Sequence, residues 1–302
     1  MKKLLALLLA LAMCLSLAAC GGATQESAPA EDTASTDAEP AEDAAPAEDT
    51  DTADAEPAEE TDTADAAESD LAAVKAKGVL VVGITDFAPM DYKDDNGKWI
   101  GFDADLANAF AQKLGVAVEF TEINWDNKIL ELNGGNIDCI WNGMTLTPEV
   151  TSAADCSNPY MLNAQVVVMP AAKAAEYADI ESMSALTFAV EAGSAGEQAV
   201  QELGYNSTPV TAQADALMEV QAGTSDAAVI DLLMAIAMTG EGTNYPDLTS
   251  TVNLNEEQYG VAFRQGSDLV AELNQFFADA YADGTMDSVA ELYGLAGSVI
   301  AQ

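Results

Sequence analysis

From Leu71 onward, apolar positions gather in short runs separated by stretches with helical spacing. Residues 79–84, 116–121, 137–141, 165–169, 186–190 and 227–230 are too short for helices and rich in branched side chains, so they read as buried strands. Residues 92–101 read as a hairpin around Asp95-Asn96-Gly97. Asp103 is placed to cap a helix in which Leu106, Phe110 and Leu114 share one face, and Gly115 stops it. Buried parallel strands joined by short helices predict an α/β fold whose ligands sit at the carboxyl ends of strands. The roughly 230 residues from Leu71 suffice for one large domain or two small lobes.

The first 70 residues follow a different pattern. Lys2 and Lys3 precede an apolar run over 4–13, the charged start and hydrophobic core of a secretory signal spanning 1–19. At about a dozen residues the run is too short to cross a bilayer. It ends in Leu17-Ala18-Ala19-Cys20-Gly21, which resembles the lipobox of bacterial lipoproteins and makes Cys20 the expected lipidation site. Residues 20–70 are nearly all Ala, Glu, Asp, Thr and Pro, with near-copies at 37–43 and 54–60. Lacking aromatic and branched apolar side chains to bury, this stretch has nothing to offset the entropy of ordering its backbone, and it reads as a disordered, self-repelling acidic tether. Fully extended it would reach on the order of 150 Å.

Charge narrows the partners. The chain carries 51 acidic and 10 basic residues, a formal charge of -41, and about a third of the acids lie in the tether. The remainder is therefore strongly acidic too, which excludes nucleic acid and anionic lipid surfaces as partners, since both require basic patches. Histidine is absent, and no cysteine spacing points to a metal or another cofactor. With Cys14 in the signal and Cys20 lipidated, Cys139 and Cys156 remain, either paired by a disulfide or present as two thiols.

Four motifs then occur in order: Val82-Gly83 through Phe87-Ala88-Pro89-Met90; Gly101-Phe102-Asp103-Ala104-Asp105-Leu106; Trp141-Asn142-Gly143-Met144-Thr145-Leu146-Thr147; and Ser157-Asn158-Pro159-Tyr160. Gly193-Ser194-Ala195-Gly196-Glu197, the 226–231 strand end and Asp283-Gly284-Thr285 follow. In order and spacing the set resembles the family 3 extracellular solute-binding proteins, which serve ABC importers of amino acids. The resemblance implies a two-lobed fold of the periplasmic-binding-protein type II class. Two strands would cross between the lobes, near residues 163–167 and 259–263. One lobe would hold 71–165 and 261–302, the other 166–260. It also implies a monomer on the outer face of the cell membrane that captures a small polar solute, an amino acid or close derivative, for an ABC permease. Two other classes stand beside this one: a lyase-like enzyme on the same scaffold, using Glu191, Asp231 or Lys128 as a base, and a surface sensor or adhesion protein.

A free amino acid offers a cation, an anion and a side chain, so its site needs a buried carboxylate, N–H donors and an apolar wall. Asp231 ends a strand where the family pairs an acid with the ligand ammonium, and it is equally placed to cap the helix at Leu232. Ser194 and Ala195 sit at a helix start that attracts anions, although Ser194 and Glu197 also form a capping box that satisfies the same donors. The resemblance places Trp141, Asn142, Gly143, Met144 and Thr145 against the ligand's polar end as they leave a strand, and Phe87 against its side chain. Lys128 falls at a cleft-facing family position, whereas Trp125 and Tyr92 read as packing residues. One departure matters: Thr147-Pro148-Glu149-Val150-Thr151 puts valine where the family carries the arginine that grips a ligand carboxylate. The single arginine, Arg264, lies on the expected return strand, a position that does not let it substitute. Either Lys128 and the helix starts at Ser194 and Pro148 hold that carboxylate, or the solute has none free.

Overall fold

The computed structural model describes residues 69–302, so the signal, Cys20 and nearly all of the tether lie outside the described residues. Branched and aromatic runs form two mixed sheets. In the first, Val79–Ile84 lies between Ala117–Glu122 and Cys139–Thr145, parallel to both. Glu257–Phe263 then adds antiparallel to Cys139–Thr145 and also pairs with Asp155–Cys156 and Met161–Asn163. In the second sheet, Thr187–Glu191 lies between Asn206–Val210 and Ala227–Asp231, parallel to both, while Gln165–Pro170 runs antiparallel between Ala227–Asp231 and Leu248–Asn253.

The chain leaves the first sheet at Asn163, enters the second at Gln165, and returns between Asn253 and Glu257. The second passage therefore precedes residues 259–263. Tyr259 to Phe263 are buried inside the first sheet, where pairing with Met144 and Thr145 fixes them.

The helix Phe102–Leu114 buries Leu106, Phe110 and Leu114 as the spacing requires. Its cap differs from expectation. Gly101, not Asp103, occupies the cap at φ 130, and a Cβ there would sit 2.1 Å from the Met90 carbonyl oxygen, so only glycine fits. Asp103 turns inward instead, accepting from the Gly143 backbone N–H at 2.6 Å and the Tyr160 hydroxyl at 2.8 Å. Burial pushes its pKa up to about 7.

The C-terminal helices Leu269–Ala282 and Thr285–Leu292 return to the first half of the chain, where Phe276 and Phe277 join Phe110, Trp141 and Tyr160 in one aromatic cluster. Each such ring removed from water contributes about 1.5 to 3 kcal/mol. Cys139 is buried and Cys156 half-buried, and both are free thiols, which resolves the cysteine alternatives. Burial raises both pKa values, that of Cys156 to about 11. Arg264, directly after the strand Glu257–Phe263, is engaged elsewhere: it pairs with Asp70 at 2.7 Å and donates to the Leu132 and Ile137 carbonyls.

Candidate functional site

A cavity of about 430 Å³ opens where strand ends of the two sheets face one another, a size suited to a small solute. The first sheet and its neighbours supply Phe87, Lys128, Asn142, Gly143, Met144 and Thr145, and the second supplies Ser194, Ala195 and Asp231. Nine of the ten residues singled out from sequence thus line one cavity. The tenth, Trp141, does not: it is fully buried against Phe277 and Phe110, at ring distances of 5.6 and 6.3 Å. A strand sends successive side chains to opposite faces, so the residue preceding Asn142 faces the core.

The segment 141–145 does not leave the strand's end either. Cys139–Thr145 continues through it, held by pairing to Gly260 and Tyr259. Gly143, at φ 53, is the local distortion; a Cβ there would lie 2.4 Å from the Phe87 ring. Glycine thus lets the backbone approach that ring, which in turn meets Tyr259 edge-on at 6.3 Å.

Of the two sequence readings of Asp231, the side-chain cap is not realised. Asp231 stands at the cap position of Leu232–Met238, but its side chain makes no cap hydrogen bond; the Leu233 N–H donates to Asn163 Oδ1 at 3.3 Å instead. The carboxylate accepts from the side-chain amides of Asn163 at 2.6 Å, Gln165 and Gln213. Beside it, Glu257 Oε1 accepts from Asn163 at 2.6 Å, Gln165 at 2.8 Å and the Thr145 hydroxyl at 2.7 Å. Two carboxyl groups therefore share the Asn163 and Gln165 amides where the chain passes between the sheets. Burial, then the neighbouring Glu257 charge, holds the Asp231 pKa well above the usual carboxylate range.

Only half of the capping box at Ser194 is formed: Glu197 N–H donates to Ser194 Oγ at 3.1 Å, but Glu197 Oε2 accepts from Gly193 N–H at 2.7 Å, one residue before the cap, and Ser194 N–H donates to the Glu191 carbonyl at 3.2 Å. Lys128 is buried. Its Nζ donates to the carbonyls of Trp125 at 3.2 Å and Gly193 at 2.8 Å and stands 5.0 Å over the Trp125 ring. This bond ties the two walls of the cavity together, and Gly193 approaches so closely that a Cβ on it would meet Asp126 Cα at 2.6 Å. Burial lowers the Lys128 pKa while Glu149, Glu191, Asp126 and Glu197 pull it back up.

Trp125, read from sequence as packing, also lines the cavity; Tyr92 does not, and stacks edge-on against Tyr293. Val150 lines the cavity at the position expected for arginine. Gln165 and Gln213 were missed as lining residues, and Asn163 and Glu257 as members of the network behind them. The available signal was weak: Gln165 and Gln213 are polar residues opening a strand and a helix, ordinarily solvated positions. Among the described residues, no cluster of side chains fits a metal ion, and no helix is long and apolar enough to cross a membrane.

Residues 80–296 match the model of the bacterial extracellular solute-binding proteins, family 3. A probable histidine-binding protein from Neisseria gonorrhoeae is 28% identical over 229 residues, covering 74% of this chain and 85% of that protein. Among solved structures, an ABC uptake transporter substrate binding protein from Streptococcus pneumoniae with bound histidine aligns with a TM-score of 0.68 at 28% identity, over 75% of this chain and 96% of that one. An ancestral amino acid-binding protein, AncCDT-1, a precursor of cyclohexadienyl dehydratase, aligns with a TM-score of 0.69 at 33% identity, over 74% of this chain and 99% of that one.

Proposed function

This chain belongs to the bacterial extracellular solute-binding proteins of family 3, and from that premise we propose that it captures a free amino acid or close derivative and delivers it to an ABC permease. The observation that carries this reading is Asp231: a buried carboxylate in the cavity wall, relieved of capping duty and oriented by three side-chain amides. An ammonium group is the complement such a site lacks. A solute touching both walls would favour their closed arrangement, with the passages at Ala164 and at 254–256 as the hinges. Capture rather than catalysis is supported by the relatives, which are binding proteins.

Calorimetry of the purified chain against the standard L-amino acids and their amides tests the reading. Saturable binding of at least one, at micromolar or tighter Kd, is expected. Silence across the whole panel would remove amino acids as the solute class.

The anchor is the second part of the proposal. Cys20, after Leu17-Ala18-Ala19, would carry lipid and hold a monomer at the outer face of the membrane, with the acidic tether as its leash. Cys20→Ser should move the protein from the membrane fraction to the soluble fraction; undiminished membrane retention would contradict the anchor.

A further inference from the structure

We propose that Glu191 recognises a second cationic group on the solute, so that this protein selects basic amino acids over neutral and acidic ones. The inference rests on the capture reading above and adds the charge class of the solute.

Glu191 ends the strand Thr187–Glu191, lines the cavity and is 2% exposed. Its Oε1 has no hydrogen-bond partner, and no lysine or arginine among the described residues forms an ion pair with it. An orphan buried carboxyl oxygen is costly unless something arrives to pair with it. The nearest cation, Lys128, is committed to the Trp125 and Gly193 carbonyls. Burial pushes the Glu191 pKa up to about 8 even with the Lys128 charge, the Thr85 hydroxyl and the Gln213 amide favouring its ionised form and Asp215 opposing it. Empty, the group is held largely neutral at pH 7; a cation placed against it would draw the proton off.

The rest of the lining points the same way. Five carboxylates, Asp126, Glu149, Glu191, Glu197 and Asp231, face a cavity that holds one cation, Lys128. The arginine that would offset them is Val150, and Arg264 is bound elsewhere. Gln213 donates to Asp231 and also lies beside Glu191, so one amide stands between the two carboxyl groups. A solute with one ammonium at Asp231 and a second cation at Glu191 satisfies both, whereas a neutral side chain leaves Glu191 Oε1 buried and unpaired.

The test is calorimetry of the full chain with L-arginine, L-ornithine, L-citrulline and L-glutamate, on the unmodified protein and on Glu191→Gln. Citrulline matches arginine in shape without its charge. Arginine or ornithine should bind about tenfold or more tighter than citrulline, and Glu191→Gln should collapse that ratio to within about threefold. A variant that fails to fold is bypassed by measuring proton release in two buffers of different ionisation heat. The basic ligand should release more protons at pH 7 than citrulline does, since any release from Asp231 is common to both. Citrulline binding as well as arginine, equal proton release, or an unchanged ratio in Glu191→Gln would overturn the role of Glu191 while leaving amino-acid capture intact. Binding of none of the four while a neutral or acidic amino acid binds would also overturn it. Failure of every amino acid tested would overturn the capture reading itself, and this inference with it.

Discussion

Asp231→Asn is expected to weaken capture of an amino acid by about tenfold to more than a hundredfold, the loss of one charge-assisted hydrogen bond of about 1.5 to 3 kcal/mol. The helix behind it should survive, because Asp231 does not cap it and the Leu233 N–H is served by Asn163. The surrounding network should feel the change. All three side-chain groups around the carboxylate donate, from Asn163, Gln165 and Gln213, so either orientation of the new amide turns a nitrogen toward at least one donor. That costs about 1 to 3 kcal/mol of stability, read as a lower melting temperature of the empty protein. Affinity should therefore be compared below both melting transitions. Proton linkage supplies a second signature. Burial and Glu257 hold the Asp231 pKa high, so pairing with an ammonium must ionise it. Affinity of the unmodified protein should fall as pH drops through that raised value, and Asp231→Asn should flatten the dependence. An unchanged Kd in a folded variant would show that the ammonium lies elsewhere.

The reach and the failures of the sequence reading have separable causes. Strand runs and the buried face of Phe102–Leu114 were legible because burial imposes period, and the ordered glycine motifs carried the family. Faces within a strand were not legible at 141–145. Trp141 and Asn142 sit side by side in sequence, and only the pairing register of Cys139–Thr145 decides which meets the cavity. The cap reading failed at Asp103, and at Asp231 it was the alternative that the side chain does not realise. Asp103 and Asp231 both stand at helix starts, yet both carboxyl groups are drawn inside by partners distant in sequence, Tyr160 and Gly143 in one case and Gln213, Gln165 and Asn163 in the other. Local sequence records the competition for a carboxylate but not its winner. Lys128 was placed in the cavity from the family pattern, but its commitment to the Gly193 carbonyl depends on how closely the two walls approach, which no local spacing encodes.

Glu191→Gln should stabilise the empty protein at alkaline pH and have little effect at acid pH. The sign follows from proton counts. Unfolded, the Glu191 carboxyl titrates near 4.5; folded, burial raises its pKa to about 8. Below the lower value both states hold the proton and the group contributes nothing. Between the two the folded state binds more protons than the unfolded, so stability declines by about 1.4 kcal/mol per pH unit, and above the upper value the penalty is complete. The full penalty is on the order of 2 to 5 kcal/mol once relaxation and water entry are allowed for. Glutamine never ionises, so the variant escapes it. Asp91, Asp103 and Asp231 also have raised pKa values, but they titrate in both proteins and cancel in the difference. Melting curves should coincide within a degree or two near pH 5 and separate by several degrees near pH 8.5, with the variant higher. A saturating basic amino acid should close the gap, since it pairs with the ionised Glu191 and has no such partner in the variant. Parallel melting across the whole range would mean that Glu191 is hydrated in the empty cavity, and a gap that persists with arginine bound would mean that no cation reaches it.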